Sequence, residues 1–435
     1  MAQNKMIKAQ QSTTLICTVG GSYEPIVCAI QSTSPDFVCF ICSVDDPATG
    51  NKGSYQQIEG RGNVIKQVFS DIKPTLPNIL VQMSLTEEQY TILYVEPDNI
   101  DDICSKISQW LRERDPLTER FIADYTGGTK SMSAALVVVA LDDEHIGLQL
   151  VTGSRNNLVK VASGSETVVP AAIEASRLQR RQHDALSVWS RYAYAEAADL
   201  LTKIPSPRDT HQRGQLQRAL DISLAFSAWD RFDHHLAEKI LLRYRNKLGN
   251  THSELYNILG KLNQEGPAQE PMRLLDLYRN AQRRAATHRY DDAIARLYRL
   301  TEWAGQWLLR ERANISTDNV AEDKIPPGLQ LSRNREGNFQ AGLFSTWELL
   351  AHYGDQSVRD FWVKNKNHLL NHLQTRNYSI LAHGFTPLNE SAWLQFLDWV
   401  DSQLLPVLFI TLNGNKKYKI KNLPRQLPEY YQYYD

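Results

Sequence analysis

The stretch that decides the fold of the first part of the chain is RFIADYTGGTKSMSAALVVVAL, residues 120–141. A short apolar run leads to the glycine pair Gly127 and Gly128, and an apolar helical pattern begins soon after it. Glycine permits tight backbone turns and close contacts that other residues resist. A strand, a glycine turn and a helix in this order form the repeating step of an α/β sheet.

Four other apolar runs in the first 150 or so residues show the same alternation with helical patterns: TTLICTVGG, FVCFICSVDD, YTILYVEPDN and IGLQLVTGS. Runs such as LICTV are apolar without alternation, as is typical of strands covered by helices on both faces. From about Ala171 onward helical periodicity dominates. The sequence therefore predicts a parallel α/β sheet followed by a largely helical second half.

The composition is that of an ordinary globular protein. A chain of 435 residues is long enough for two or three domains. Hydrophobic residues make up 42%, charged residues 22%, and the net charge is -1, so a nucleic acid would have to meet a local basic patch. The longest apolar runs, AALVVVAL and LLPVLFITL, are too short to span a bilayer. The N-terminus does not read as a signal peptide, and we expect a soluble, cytoplasmic protein without a membrane partner.

The cysteines do not indicate a disulfide framework. There are five, an odd number, and all lie in the first quarter of the chain. Cys39 and Cys42 form a C-x-x-C within a strand-like run, where a separation of three points the two side chains to opposite faces. Reduced core thiols are therefore favoured over a metal or redox site.

Two presumed strands end in glycine loops that suit an anion: TVGGSYEP, residues 18–25, and YTGGTKSMS, residues 125–133. Free N–H groups and the dipole of a following helix favour a phosphate there. The second loop is not a Walker loop, because Asp124 and Thr129 stand where glycines are required, and no G-x-G-x-x-G follows the first strand. A dinucleotide-dependent oxidoreductase is thus disfavoured. Plain strand-to-helix turns remain the alternative, but open α/β sheets commonly bind ligands at this edge.

A second candidate site lies in TRNYSILAHGF, residues 375–385, which reads as a helix ended by Gly384 and Pro387. Seven residues make about two helical turns, so Arg376 and His383 are predicted on nearly the same face, roughly 10 Å apart along the axis. Arginine can neutralise a phosphate and histidine can transfer a proton, which suits RNA cleavage. On spacing alone, an exposed helix face is the commoner explanation.

Other groups of histidines are weaker candidates for a functional site. His368 and His372 have metal-compatible spacing, but Leu369 replaces the glutamate of H-E-x-x-H, which favours a structural or RNA-facing role. His234 and His235 are adjacent in sequence and are predicted to be surface residues.

Three other segments of the second half have distinct patterns. NAQRRAATHRYDDAIARLYRLTEWAGQWLL, residues 280–309, predicts an amphipathic helix pair. The polar stretch 314–342 predicts a loop or an insertion. The C-terminal KKYKIKNLPRQLPEYYQYYD predicts a basic strand followed by an aromatic tail that docks on the body or on a partner.

Together, the TVGG and DYTGGTKSMSAAL loops, the RYDDAIARLYRLTEW helix and the RNYSILAHG segment resemble the CRISPR-associated CARF/HEPN ribonucleases of type III systems, of the Csm and Csx type. The resemblance spans most of the chain. It implies a Rossmann-like CARF domain that senses a cyclic oligoadenylate, a helical connector and a helical HEPN domain that cuts RNA. The corresponding boundaries are 1–175, 176–270 and 271–435.

The HEPN signature of that family is an arginine, usually followed by a polar residue, and then a histidine after four to six intervening residues. Arg376, Asn377 and His383 match it with six intervening residues, the long end of the range. The resemblance implies that Arg376 binds the scissile phosphate, His383 transfers protons and Asn377 positions them. It also implies attack by the RNA's own 2′-hydroxyl without a metal, at a composite site shared by a homodimer.

In the CARF part, the resemblance places ligand-binding residues in both glycine loops. They are Thr18, Gly20, Gly21, Ser22, Gly127, Gly128, Thr129, Lys130 and Ser131. Lys130 is the expected contact to a phosphate or ribose. A two-fold dimer matches a cyclic ligand with an even number of adenylates, so rings of four and of six both fit.

The leading hypothesis is therefore an activator-dependent, metal-independent endoribonuclease that cuts single-stranded RNA in antiviral defence. One alternative is a non-catalytic CARF regulator, although no convincing helix-turn-helix is evident. Another is a CARF pocket that also cleaves its own cyclic activator, with the help of Lys130 or Thr129.

Overall fold

The computed structural model describes residues 11–47, 50, 52–60, 77–153, 155–156, 160–161, 165–246, 253–377, 379–381 and 384–432. For residues 155–156, 160–161, 373 and 375–377 the description covers the backbone alone. The chain divides into two compact units, Met1–Arg180 and Arg181–Asp435. The division into three domains predicted from the sequence stays a prediction.

The first unit is built on a mixed sheet with the strand order β3-β2-β1-β4-β5-β8. The strands of this unit are β1 Ser12–Thr18, β2 Phe37–Ser43, β3 Tyr90–Val95, β4 Glu119–Asp124, β5 Ile146–Thr152, β6 Arg155–Asn156, β7 Lys160–Val161 and β8 Thr167–Pro170. The five apolar runs of the sequence form β1 to β5, which are parallel. The predicted fold class is thus confirmed.

One edge of the sheet departs from the parallel arrangement. β8 pairs antiparallel with β5, from Thr152 opposite Thr167 to Gln149 opposite Pro170. Its four residues, TVVP, are too few to show a strand pattern in the sequence. A proline is tolerated at a sheet edge because its missing N–H is not needed for a further ladder.

Helices cover both faces of this sheet. The helices of the first unit are α1 Glu24–Thr33, α2 Gln56–Glu59, α3 Ile79–Met83, α4 Ile100–Arg112 and α5 Lys130–Asp142, and α6 Glu174–Ser187 continues into the second unit. Cys39 lies in the core under α4 and α5, whereas Cys42 lies in the opposite core under α1 to α3. Burial raises the pKa of both thiols, so they stay protonated core groups as predicted.

The second unit is helical. Its helices are α7 Tyr194–Thr202, α8 Thr210–Asp230, α9 His234–Leu241, α10 Ser253–Asn263, α11 Gln269–Ala285, α12 Tyr290–Ala313, α13 Leu343–Tyr353, α14 Gln356–Asn377, α15 Glu390–Trp399 and α16 Leu405–Gly414. The predicted amphipathic pair corresponds to α11 and α12, and the turn between them places His288 at a φ of 57°. Leu297, Leu300 and Trp307 on one stripe of α12 are fully or almost fully buried.

Two irregular segments complete this unit. Within 314–342 the chain forms a short hairpin, β9 Ser332–Arg333 and β10 Phe339–Gln340, and one turn of 3-10 helix, Glu322–Lys324, joined by loops. The predicted basic strand after α16 is wrong, because Lys419 adopts a left-handed φ of 51° and no strand pairs with this segment within the described residues. The predicted docking of the tail is confirmed, since the Tyr194 hydroxyl donates to the Pro428 carbonyl at 2.7 Å.

Candidate functional site

The two glycine loops emerge side by side from the centre of the sheet. β1 and β4 are parallel neighbours, with Cys17 opposite Asp124 near their carboxyl ends. The chain continues from β1 to β2 on one side and from β4 to β5 on the other. This is the topological switch point, where open α/β sheets form a crevice that binds ligands.

Hydrogen bonds lock the two loops together. The Thr18 hydroxyl, at the end of β1, donates to the Gly127 carbonyl at 2.7 Å. The Ser133 hydroxyl in α5 donates to the same carbonyl at 2.9 Å. Because Thr18 is fully buried, it holds the loops in place and does not face solvent. Gly21 and Ser22, in contrast, are exposed.

Side chains at the glycines would separate the loops. A Cβ at Gly127 would lie 2.3 Å from the Thr18 carbonyl oxygen, and a Cβ at Gly20 would lie 2.7 Å from the Gly128 nitrogen. Gly128 has a φ of 81°, a conformation that other residues rarely adopt. The glycines therefore permit a close approach of two backbones that any larger residue would prevent.

The start of α5 is organised for an anion. The Thr129 oxygen accepts from the Met132 N–H at 3.2 Å, which caps the helix, and its hydroxyl donates to the Pro97 carbonyl at 2.5 Å. Lys130 is exposed, and its ammonium has no hydrogen-bond or ion-pair partner in the described part of the chain. A helix N-terminus with an unpaired cation favours a phosphate.

Sequence reasoning missed a polar layer beneath the loops. Asp124 is buried and accepts from the Thr126 N–H at 3.0 Å and from Gln149 Nε2 at 3.2 Å. Burial raises the pKa of Asp124, and these hydrogen bonds act in the opposite direction. Gln57 in α2 donates to the Gly21 carbonyl at 3.1 Å. Only the strand register and long-range packing reveal these partners.

The candidate catalytic motif lies at the end of α14. Arg376 and Asn377 are the last two residues of this helix, and their side chains are outside the described residues. His383 also lies outside the described residues. The structure thus gives the backbone position of Arg376 and Asn377 only, and the catalytic roles of all three residues stay predictions.

The predicted helix through this motif is wrong. α14 ends at Asn377, and the buried Ser379 forms a bridge with Thr386. The Ser379 carbonyl accepts from the Gly384 N–H at 3.2 Å, which closes a turn where a helix would continue. The sequence prediction that rested on continuous helical spacing from Arg376 onward therefore does not apply, because the helix ends at Asn377.

Exposed apolar side chains lie close to this motif along the chain. Phe385 is 92% exposed, Ile380 59% and Leu381 51%. Val363, further back on α14, is 83% exposed. Isolated exposed apolar residues are ordinary, but several around one turn indicate an interaction surface.

His368 and His372 also lie on α14. The His372 ring stacks on Phe396 with centroids 4.3 Å apart, and burial lowers its pKa to about 4. This gives His372 a structural role, in agreement with one of the two predicted roles. Among the described residues, no group of three or more His, Cys, Asp or Glu side chains could hold a metal ion.

The prediction that His234 is a surface residue is wrong. His234 is buried, and its Nε2 lies 2.9 Å from Asp276 Oδ2 in α11. The same carboxylate accepts from Trp229 Nε1 at 3.1 Å. His234 begins α9 directly after a tight turn that folds α9 onto α8, a packing that adjacency in sequence does not reveal. His235 is exposed, as predicted.

The chain thus combines an α/β unit that has a crevice at its switch point with a helical unit. No helix among the described residues has the length and apolar character needed to cross a membrane.

Comparisons with known proteins identify a family resemblance within the helical unit. Residues 263–404, about a third of the chain, match the family model described as the Csm6 HEPN domain. The match confirms the HEPN part of the predicted resemblance for this segment, which contains Arg376, Asn377 and His383. Among solved structures, Enterococcus italicus Csm6 bound to cyclic hexa-2′-fluoro-hexa-dAMP is similar over 91% of this chain and 94% of that chain, with a TM-score of 0.49 and 12% sequence identity. No curated protein matches.

Proposed function

We propose that the chain is an endoribonuclease of type III CRISPR defence that cuts single-stranded RNA without a metal and is activated by a cyclic oligoadenylate. The observation that carries the proposal is the match of residues 263–404 to the Csm6 HEPN domain, because that segment contains the arginine and histidine of the predicted motif. A cytoplasmic location accompanies this proposal.

In the proposed reaction, the RNA supplies its own nucleophile. The 2′-hydroxyl oxygen forms a bond to the adjacent phosphorus, and the bond from phosphorus to the 5′-oxygen breaks. His383 takes part in moving the proton from the 2′-hydroxyl to the leaving 5′-oxygen. Arg376 neutralises the charge that grows on the phosphate, and Asn377 helps to position the reacting groups. The products are a 2′,3′-cyclic phosphate and a 5′-hydroxyl.

The proposed active form is a homodimer in which two copies of the motif build one composite site. Support comes from the exposed side chains of Ile380, Leu381 and Phe385, which lie between and beside the motif residues. Burial of these side chains against a second copy would remove apolar surface from water, at about 25 cal/mol for each Å².

The proposed activator site is the crevice between the two glycine loops. Lys130, the start of α5 and the exposed Gly21 and Ser22 supply a cation, free N–H groups and open space for a phosphate. The ring size, four or six adenylates, stays open. Two residues, Lys130 and Thr129, were named as helpers in cleavage of the activator. The Thr129 hydroxyl already donates one hydrogen bond and accepts another, so Lys130 is the more available of the two to contact a phosphate.

The activating role requires that the ligand binds the active arrangement more tightly than the resting one. A non-catalytic regulator built on the same crevice would bind the ligand equally well but would not cut RNA. Cleavage therefore separates the two proposals.

The test is cleavage of a fluorescent single-stranded RNA in EDTA, with cyclic tetra-adenylate, cyclic hexa-adenylate or no ligand. We expect one ring to trigger cleavage. His383→Ala should reduce the rate by about 10²–10⁴, the usual contribution of acid–base catalysis, and Arg376→Ala by about 10²–10³, the usual contribution of one charge-stabilising donor. His211→Ala, an exposed histidine in α8, is the matched control and is expected to keep wild-type activity. Equal cleavage by the His383→Ala protein would remove the proposed site.

A further inference from the structure

A second cavity lies within the helical unit, outside the candidate catalytic motif. It has a volume of about 1000 Å³ and lies between α10, the C-terminal end of α16 and the chain that follows α16. Its described lining includes four lysines and four asparagines but only one carboxylate, that of Glu254. The chain as a whole has a net charge of -1, so this concentration of positive charge is local.

Most of this positive charge is not neutralised by the protein. The Lys261 ammonium donates to the Lys419 carbonyl at 2.8 Å. Lys416, Lys419 and Lys421 are exposed and have no side-chain partner in the described part of the chain. Unpaired cations that converge on one concave surface attract anions more strongly than cations that are scattered over a surface.

The backbone of residues 416–421 holds these lysines towards the cavity. Tyr418 and Ile420 are buried at 1% and 3% exposure and anchor the segment to the body of the unit. Lys417 instead pairs with Glu311 at 2.6 Å and does not line the cavity. Lys419 keeps a left-handed φ of 51° between the two anchors. The arrangement is thus preorganised, which reduces the entropic cost of binding.

The lining identifies the chemical class of the ligand. Lysine ammonium groups and asparagine amides contact phosphate oxygens, whereas the described lining contains no aromatic side chain on which a base could stack. Phosphate contacts of this kind are independent of base sequence.

We propose that this cavity is an accessory binding site for the phosphate backbone of single-stranded RNA, distinct from the catalytic motif. The choice of RNA as the polyanion rests on the ribonuclease activity proposed above. The site retains a substrate strand without reading its sequence. Its effect on cleavage is a lower KM with an unchanged kcat, because its lysines do not touch the reacting phosphate.

The test measures binding and its dependence on salt in the full chain, with His383→Ala present in every protein so that RNA is not cut. Fluorescence anisotropy of a labelled single-stranded RNA gives Kd between 50 and 200 mM salt. Each lysine that contacts a phosphate of a single strand contributes a slope of about 0.7, so Lys416→Gln with Lys421→Gln should lower the slope by about 1.4. Over this fourfold range of salt, the Kd of the parent protein should then change about sevenfold more than that of the double variant.

Two controls make the result specific. Lys203→Gln with Lys239→Gln removes the same charge from an exposed position just after α7 and an exposed position on α9, and should keep the parent slope. Lys416→Arg with Lys421→Arg keeps the charge in the cavity and should also keep the slope. The proposal would be overturned if the Lys416→Gln, Lys421→Gln protein kept the salt dependence of the parent. It would also be overturned if the Lys203→Gln, Lys239→Gln protein lost as much of its salt dependence as the cavity variant.

Because cleavage is not measured here, the result does not depend on the catalytic proposal. If RNA binding does not respond to the cavity lysines while the wild-type protein cuts RNA, only the accessory site is removed. If RNA binding does respond while the wild-type protein does not cut RNA, the accessory site stands and only the catalytic assignment is removed.

Discussion

Gly127→Ala tests the close contact between the two glycine loops. The added Cβ would lie 2.3 Å from the Thr18 carbonyl oxygen, whereas real Cβ contacts essentially never fall below 3.0 Å. The obstructing atom belongs to the backbone of β1, so no side chain can rotate away. The loops must therefore separate by at least about 0.7 Å.

The cost of this separation follows from the contacts that it disturbs. Overpacking in a well-packed region costs about 1–3 kcal/mol. The 2.7 Å hydrogen bond from the Thr18 hydroxyl to the Gly127 carbonyl is also stretched. Its loss adds about 0.5–1.5 kcal/mol. Added together, these two costs lower the expected free energy of local opening around β4 and α5 by about 1.5–4.5 kcal/mol.

Hydrogen exchange followed by mass spectrometry measures this opening in peptides that cover residues 120–141. Binding of a cyclic oligoadenylate, followed by calorimetry, should weaken at least about tenfold, since about 1.4 kcal/mol corresponds to a factor of ten. Gly147→Ala in β5 is the matched control, because its Cβ would meet only the Phe121 carbonyl oxygen at 3.6 Å, an ordinary contact.

The exchange result does not depend on the identity of the ligand. If residues 120–141 are protected from hydrogen exchange equally well in the Gly127→Ala and Gly147→Ala proteins, the loops are not held by this backbone contact and the reasoning fails. A loss of exchange protection without a loss of ligand binding would keep the packing argument and remove the crevice as the activator site.

Two further predictions concern the helical unit. Asp230→Ala removes the closer of two carboxylates beside the buried Arg283, whose Nε donates to Asp230 Oδ1 at 2.8 Å, whereas Asp276 lies 3.7 Å away. The variant should cost about 3–5 kcal/mol in urea unfolding. Glu196→Ala, in an exposed pair, should cost at most about 1 kcal/mol, and equal losses would contradict this. Burial of the ring lowers the pKa of His372 from 6.5 to about 4 in the folded protein. As the pH drops from 6.5 towards 4, this histidine is therefore protonated in the unfolded chain but still neutral in the folded one, and the free energy of unfolding declines. His372→Phe, which keeps an aromatic ring beside Phe396, should reduce the shift of the urea midpoint between pH 7 and pH 5, and an unchanged shift would refute the assignment.

Several features could be predicted from the sequence because they depend on local properties of the chain. Apolar runs of five to seven residues predict buried strands, and glycine pairs directly after them predict tight turns. For this reason β1 to β5 and the loops at Gly20 and Gly127 were predicted at the correct positions. The amphipathic stripe that forms α12 is a local signal of the same kind.

Other features depend on contacts between residues distant in sequence. The end of α14 at Asn377 accompanies a bridge between Ser379 and Thr386 that competes with continued helix. His234 is buried because Asp276, 42 positions away, meets it across two helices. No periodicity in either segment carries this information.

Local sequence patterns were enough to indicate the α/β and helical halves, the glycine loops and the candidate residues of the catalytic motif. The tertiary structure alone decided that the loops of β1 and β4 meet at one switch point, and that three of the four lysines in 416–421 face a cavity while Lys417 pairs with Glu311. The physical reason is the range of the interactions. Backbone conformation and strand or helix periodicity act between near neighbours, whereas strand order, burial and ion pairing depend on which distant parts of the chain are brought together.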